Sequence, residues 1–196
     1  MAWVIIGLGN PGEEYENTRH NAGRMALEYV RKANDLTPLK ELPKYKTQST
    51  SGMIGKALVA LVAPDTYMNK SGSAVVKYVK TAKAAEKMIV LYDDLDLPLG
   101  SMKISFDRGS GGHRGLESVI RSVKTKRFTR VRIGVSPITP GGKLKKPHGE
   151  KEVLDFILAK YKPVEMETLK KVFKKVSEVV EVIVTEGTAV AMNKSN

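Results

Sequence analysis

Three short stretches of this sequence carry side chains whose types could do acid–base chemistry on a carbonyl group. The first runs from Asn10 to Asn21 and contains His20, the second is Thr66-Tyr67-Met68-Asn69, and the third is Asp93-Asp94-Leu95-Asp96, with His113 further on. Histidine is the side chain whose ordinary pKa lies nearest neutrality, and a carboxylate that holds one ring nitrogen leaves the other to take a proton from water. His20 is therefore the candidate base and Asp93 its candidate partner. The amides of Asn10, Asn21 and Asn69 are neutral donors and acceptors of the kind that can hold a developing oxyanion. No strong candidate nucleophile accompanies them, so the inventory describes hydrolysis of an activated acyl group by water, most simply an ester.

Rival readings of the same residues are weaker on context. Gly7-x-Gly9-x-x-Gly12 follows an apolar run and satisfies a dinucleotide-binding spacing literally. That fingerprint needs a helix opening among the glycines and an acidic residue about 20 positions on, at the end of a second strand. Pro11 interrupts the first, and Asp35-Leu36-Thr37-Pro38 reads as loop. His20, Asp93 and His113 could in principle ligate a metal, but no tight ligand spacing such as His-x-x-x-His supports it. A histidine at a helix start also serves as a cap, and Asn10 and Asp93 also serve as turn residues.

The positioning elements follow from periodicity. The β-branched run at residues 3–6 predicts a buried strand that empties into a turn of Gly7, Gly9, Asn10, Pro11 and Gly12, and residues 22–32 predict the first helix. Residues 39–52 read as polar and irregular, and 51–55 with 56–63 as two strands meeting at a glycine turn. A helix is expected over 73–81, with Val75, Val76 and Val79 on one face. The most apolar strand, 87–92, stops at Asp93, and carboxylates at a strand's carboxyl end are where α/β folds place functional groups. Residues 101–106 predict an antiparallel strand and 116–123 a helix fed by a glycine loop. Residues 130–135 predict a strand that alternates charged and apolar residues, and 136–151 a Pro/Gly/Lys loop whose composition predicts mobility. A short helix over 153–160 and a long one from Pro163 to near Gly187 complete the reading. Alternating strands and helices with at least one hairpin predict an α/β fold, a mixed and mostly parallel sheet flanked by helices, in a single domain over 1–196.

Composition bounds the function. The chain has 196 residues, 41% hydrophobic and 28% charged, which suits one globular domain with a sizeable core. The absence of cysteine removes a disulfide framework, a thiol nucleophile and a thiolate zinc site together. The N-terminal apolar run is broken by Gly7 and has no basic leader, so neither a signal peptide nor a membrane span is expected and a cytoplasmic location is. A net charge of +12 favours a polyanionic partner, nucleic acid first. The charge gathers in Lys124-Thr125-Lys126-Arg127, in Lys143-Leu144-Lys145-Lys146 and between Lys160 and Lys175. With 6% aromatics, phosphate contact is favoured over base stacking.

Taken together, the motifs resemble a known family. Gly7-Leu8-Gly9-Asn10-Pro11-Gly12 with Tyr15, Thr18-Arg19-His20-Asn21 and Gly23 resembles the signature of bacterial-type peptidyl-tRNA hydrolases. Pro64-Asp65-Thr66-Tyr67-Met68-Asn69-Lys70-Ser71-Gly72, Asp93-Asp94-Leu95-Asp96-Leu97-Pro98 and Gly111-Gly112-His113 with Gly115-Leu116 resemble three further blocks in the same order. The resemblance implies a monomeric enzyme without metal or cofactor that cleaves the ester between a peptide and the terminal ribose of its tRNA. Carried over by position, His20 would be the base and Asp93 its partner. Asn10 and Asn69 would contact the substrate near the ester, Tyr15 and Met68 would line its pocket, and His113 and Arg114 would border the crevice. Arg132 would meet tRNA phosphate. The sequence departs from the pattern at Arg114, where Asn is common, and at Ser105, where a basic residue is frequent. Those departures keep open a second expectation, an RNA-binding relative of the kind that acts in splicing in plant organelles.

Overall fold

The computed structural model describes residues 2–196. Its centre is β1 (Trp3–Gly7), whose neighbours Ile5 and Ile6 point to opposite faces and are both fully buried. A strand covered on both faces has no reason to alternate in polarity, and this one reads as a continuous apolar run. β1 pairs in parallel with β4 (Ala57–Pro64) on one side and with β5 (Met88–Pro98) on the other, and β5 pairs in parallel with β7 (Thr129–Ser136). Antiparallel strands close both edges, β2 (Lys40–Leu42) and β3 (Thr47–Ile54) beyond β4, and β6 (Met102–Phe106) beyond β7. The seven-stranded order is β2-β3-β4-β1-β5-β7-β6. The expected α/β class and mixed sheet with a parallel centre are what the chain adopts.

Helices cover both faces. α1 (Ala22–Ala33) and α6 (Pro163–Glu186) bury Leu27, Val30, Leu169, Val176 and Val180 against the face carrying Ile5, Leu61 and Ile89. α2 (Ser71–Val75) and α4 (Arg114–Val123) bury Val75, Leu116 and Val119 against Ile6, Val62 and Val90 on the other. Each fully buried aliphatic side chain contributes on the order of 1.5–3 kcal/mol, so the two cores fix the sheet and what it carries at its ends. α1 lies unusually close to the strands: a Cβ on Gly23 would come within 2.2 Å of the Leu91 carbonyl oxygen and 2.8 Å of that of Leu8. Only glycine allows the helix that follows His20 to sit directly on β1 and β5.

Several boundaries differ from expectation. Residues 39–52 are not irregular, since they supply β2 and most of β3; Thr47 and Thr50 are buried and β-branched, and hydroxyls satisfied inside an edge hairpin disguise a strand as a polar stretch. The expected helix over 73–81 is broken. α2 ends at Val75, and α3 (Ala82–Ala85) restarts where the Thr81 hydroxyl accepts from the Ala84 N–H. The fifth strand runs past Asp93 to Pro98, with a register shift against β7 between Asp94 and Pro98. α5 (Gly149–Leu158) begins and ends earlier than expected, and α7 (Thr188–Ser195) follows Gly187 where no element was expected. The last residue, Asn196, accepts from the Ile104 N–H (2.7 Å) and donates to its carbonyl (2.9 Å), mimicking a further strand on the β6 edge.

Candidate active site

The chain leaves β1 towards β4 and returns to β5 on the other side, so the crevice lies outside the carboxyl ends of β1, β4 and β5, at the topological switch point. Asn10 follows β1, Met68 and Asn69 follow β4, and Asp93 stands near the end of the regular part of β5. A tight 3-10 turn, Arg19–Asn21, precedes α1 and carries His20 into the same place. The cavity measures about 530 Å³.

At its floor, His20 Nδ1 lies 3.1 Å from both oxygens of Asp93, and both side chains are almost completely buried. A further contact to Asp93 comes from His113, whose Nε2 is 2.9 Å from Oδ1. Hydrogen positions follow from the network. His113 Nδ1 accepts from the Leu116 N–H (3.0 Å) at the start of α4, so its proton sits on Nε2 and is donated to Asp93. With Asp93 ionised, His20 likewise donates from Nδ1, which leaves its Nε2 lone pair for chemistry. Burial alone would raise the Asp93 pKa, but the His20 and His113 rings and their hydrogen bonds outweigh it and hold the carboxyl below the usual range. Burial, and after it the Asp94 charge, pushes the adjacent Tyr92 phenol up to about 12.

His20, Asp93 and His113 bring three potential ligand atoms within 4.8 Å of one another. The donor set does not suit a cation, because the ring nitrogens that face Asp93 are the protonated ones, already donating to it.

Asn10 is held from three sides. Its N–H donates to Asn21 Oδ1 (2.9 Å), its carbonyl accepts from Asn21 Nδ2 (3.0 Å), and its own Oδ1 accepts from the Met68 N–H (2.8 Å). With Oδ1 occupied, the amide is fixed in orientation and its NH₂ is the end left to donate. Asn21 thus replaces a peptide group and, with both amide atoms engaged on the Asn10 backbone, is not among the crevice residues, so it does not serve as the oxyanion-holding amide that its type suggested. Met68 is buried against α4, where a Cβ on Gly115 would meet its Sδ at 2.3 Å.

Of the residues singled out in the sequence, Asn10, Tyr15, His20 and Met68 line the crevice, as do Asn69, Asp93, His113 and Arg114. His113 is deeper in the network than a bordering residue. Arg114 stands at the exposed rim, and its guanidinium donates to Glu150 at the start of α5. Arg132 does not line the cavity; its Nε donates to Asp94 Oδ2 (2.7 Å), so the guanidinium is partly engaged. Sequence reasoning missed the apolar wall that α5 supplies through Leu154, Ile157 and Leu158, although their spacing is helical. It also read Arg130 only as a charged position alternating with apolar ones along β7, without its burial. Arg130 is fully buried, donates to the carbonyls of Lys126, Phe128 and Arg108, and stacks 4.2 Å from the Phe128 ring centroid.

A buried histidine–carboxylate couple, a second histidine on the same carboxylate and an oriented amide at the carboxyl edge of an α/β sheet are parts that suit a hydrolase working through water. Comparison with known proteins makes the class specific. The family model described as peptidyl-tRNA hydrolase matches residues 4–196, and the chain belongs to that family. A peptidyl-tRNA hydrolase of Chloroflexus aggregans is 39% identical over 197 residues, covering 99% of this chain and 98% of its own. That of Aquifex aeolicus is 40% identical over 174 residues, covering 88% and 84%. Among solved structures, a peptidyl-tRNA hydrolase of Acinetobacter baumannii superposes with a TM-score of 0.87 at 32% identity, covering 98% of this chain and 93% of that one.

Proposed function

We propose that this chain hydrolyses the ester bond of peptidyl-tRNA, releasing peptide and free tRNA for reuse in translation. The observation that carries the reading is the His20–Asp93 couple in one crevice with the immobilised Asn10 amide. His20 Nε2 takes a proton from water as the oxygen attacks the ester carbonyl. Asn10 Nδ2 donates to the oxyanion that forms, and Asn69 at the rim contacts the same part of the substrate. Asp93 holds the imidazole in its tautomer and balances the imidazolium. The tetrahedral intermediate then collapses, its C–O bond to ribose breaks, and the imidazolium returns the proton to the leaving ribose oxygen. Base, acid and oxyanion donor all come from the chain, so the mechanism calls for neither metal nor cofactor. The Leu154, Ile157 and Leu158 wall, with Met68 and Tyr15, offers apolar surface for peptide side chains of varied sequence.

The tRNA is drawn by charge. Lys146 sits at the rim of the crevice, paired with Asp96, and belongs to the same loop as Lys143 and Lys145. Arg132, with only its Nε committed to Asp94, keeps its terminal nitrogens for a phosphate. Residues 1–196 act as one domain and as a monomer. No described helix is long and apolar enough to cross a membrane; together with the tRNA substrate and the lack of cysteine, this supports a cytoplasmic location.

The test sets cleavage of peptidyl-tRNA beside binding of uncharged tRNA by the same preparation. Ester cleavage by the wild-type chain is expected. Tight RNA binding with no cleavage would instead favour a non-catalytic RNA-binding relative.

A further inference from the structure

Arg19, the neighbour of His20, is a charged side chain that the mechanism leaves unused, yet it is buried to 7% exposure. One terminal nitrogen donates to the carbonyls of Ala159 and Lys160, each at 3.2 Å. The other donates to both oxygens of Glu165 at 3.0 Å. Its guanidinium carbon lies 4.6 Å from the Phe156 ring centroid and 5.2 Å from that of Tyr161. Main-chain bonds run beside these: the Arg19 N–H donates to the Ala159 carbonyl (3.2 Å) and the Tyr161 N–H to that of Asn17 (2.9 Å). Glu165 in turn accepts from the Lys162 N–H (2.7 Å) at the start of α6.

The elements joined in this way have opposite duties. Arg19 begins the turn that presents His20, while Phe156 belongs to α5, whose Leu154, Ile157 and Leu158 face the crevice. Residues 159–162 connect that wall to α6. A buried ion pair is a poor device for stability, since well-packed apolar groups of the same volume commonly do as well or better. What a guanidinium adds is direction, because its planar fork fixes several acceptors at once and a lysine cannot. In the same cluster, burial, and after it the negative charge of Asp93, pushes the Tyr161 phenol well above the ordinary value.

We propose that Arg19 is a positioning residue, a clamp that sets the His20 turn and the α5 wall of the crevice as one unit, so that substrate seated on the wall meets the base in register. The proposal rests on the hydrolase reading. Arg19→Lys keeps the charge and loses the fork. Misplacing a catalytic group by about 1 Å can cost roughly 100-fold, so kcat on peptidyl-tRNA should fall about 10- to 100-fold while KM stays within about twofold. A proton NMR spectrum supplies a readout that a merely structural role would not move. Two downfield ring N–H signals are expected, from His20 and His113 against Asp93, and in Arg19→Lys the His20 signal should be lost to solvent exchange while that of His113 persists. Glu165→Gln, which retains an acceptor for one nitrogen, should show the same pattern more weakly and serves if Arg19→Lys does not fold. Wild-type kcat with both signals intact in a folded variant overturns the clamp, as does a raised KM at unchanged kcat. An inactive wild-type chain would overturn the hydrolase reading itself, and an active one with an unaffected Arg19→Lys only the clamp.

Discussion

The floor of the crevice and its rim are built on different physics. At the floor, Asp93, His20 and Asn10 are buried, and apart from His20 Nε2 and Asn10 Nδ2, which are left for chemistry, their side-chain polar atoms have fixed partners. At the rim, Arg114–Glu150 and Lys146–Asp96 are ion pairs between side chains that are 41% to 80% exposed. Water competes for the rim contacts and salt screens them, whereas the floor contacts act in a medium that strengthens them. Removing a floor group should therefore be expensive and irreplaceable. Rim groups should be open to exchange, and the chain's Arg114 stands in that tolerant zone.

The sharpest way to break this comparison is to delete the base. His20→Ala should lower turnover by roughly 10² to 10⁴, as for the loss of general-base catalysis, with tRNA affinity nearly intact. Asp93→Asn should lose less, because it misorients the ring without removing it. Stopped peptidyl-tRNA cleavage assays with parallel tRNA binding measure both. Near-wild-type turnover in His20→Ala would end the distinction, and a silent Asp93→Asn beside a dead Asp96→Asn would move the carboxylate to the rim.

A second test uses protons. The folded state holds the Asp93 carboxyl below its ordinary value, whereas the unfolded chain titrates near 3.9. A group depressed in this way stabilises the fold above the unfolded value and loses that contribution as pH falls through the folded one. Wild-type stability to urea should therefore decline as pH is lowered from about 5 through 3, and Asp93→Asn should decline less steeply over that window. Parallel declines would mean that the floor carboxylate is not specially held.

Floor and rim also differ in how far they could be read from sequence. His20, Asp93 and Asn10 belong to short blocks after strand ends, and the strands were legible because β1 and the start of β5 are uninterrupted apolar runs. The linkage between the blocks was not legible. That Asn21 substitutes for a peptide bond to Asn10, or that His113 shares Asp93, depends on contacts between residues 11 and 20 positions apart whose register only packing decides. Burial of Arg130 was hidden for a different reason: its neighbours are backbone carbonyls, which no side-chain pattern announces. The edge strand β2 and the start of β3, residues 47–50, were missed because the charged Lys40-Glu41 pair and the polar threonines and serine carry little hydrophobic signal, although threonine favours extended backbone.

The smallest expected effect lies at Arg114. Its place at the first turn of α4, after a glycine loop, suggests a guanidinium free to grip a phosphate beside the N–H groups of the helix start. The structure turns that fork towards Glu150 on α5, so a phosphate would have to displace a carboxylate to be gripped. Exposed pairs of this kind contribute at most about 1 kcal/mol, which bounds what Arg114→Asn can remove. That variant should keep turnover and change KM for peptidyl-tRNA by less than about fivefold, the ratio that energy corresponds to. Glu150→Gln should free the guanidinium and, if phosphate is its better partner, lower KM at low salt. Both effects should vanish near 1 M salt, where the screening length is about 3 Å. A fall in kcat of more than tenfold at constant KM in Arg114→Asn would place this residue with the floor, and the boundary between fixed and tolerant parts of the crevice would then run outside α4.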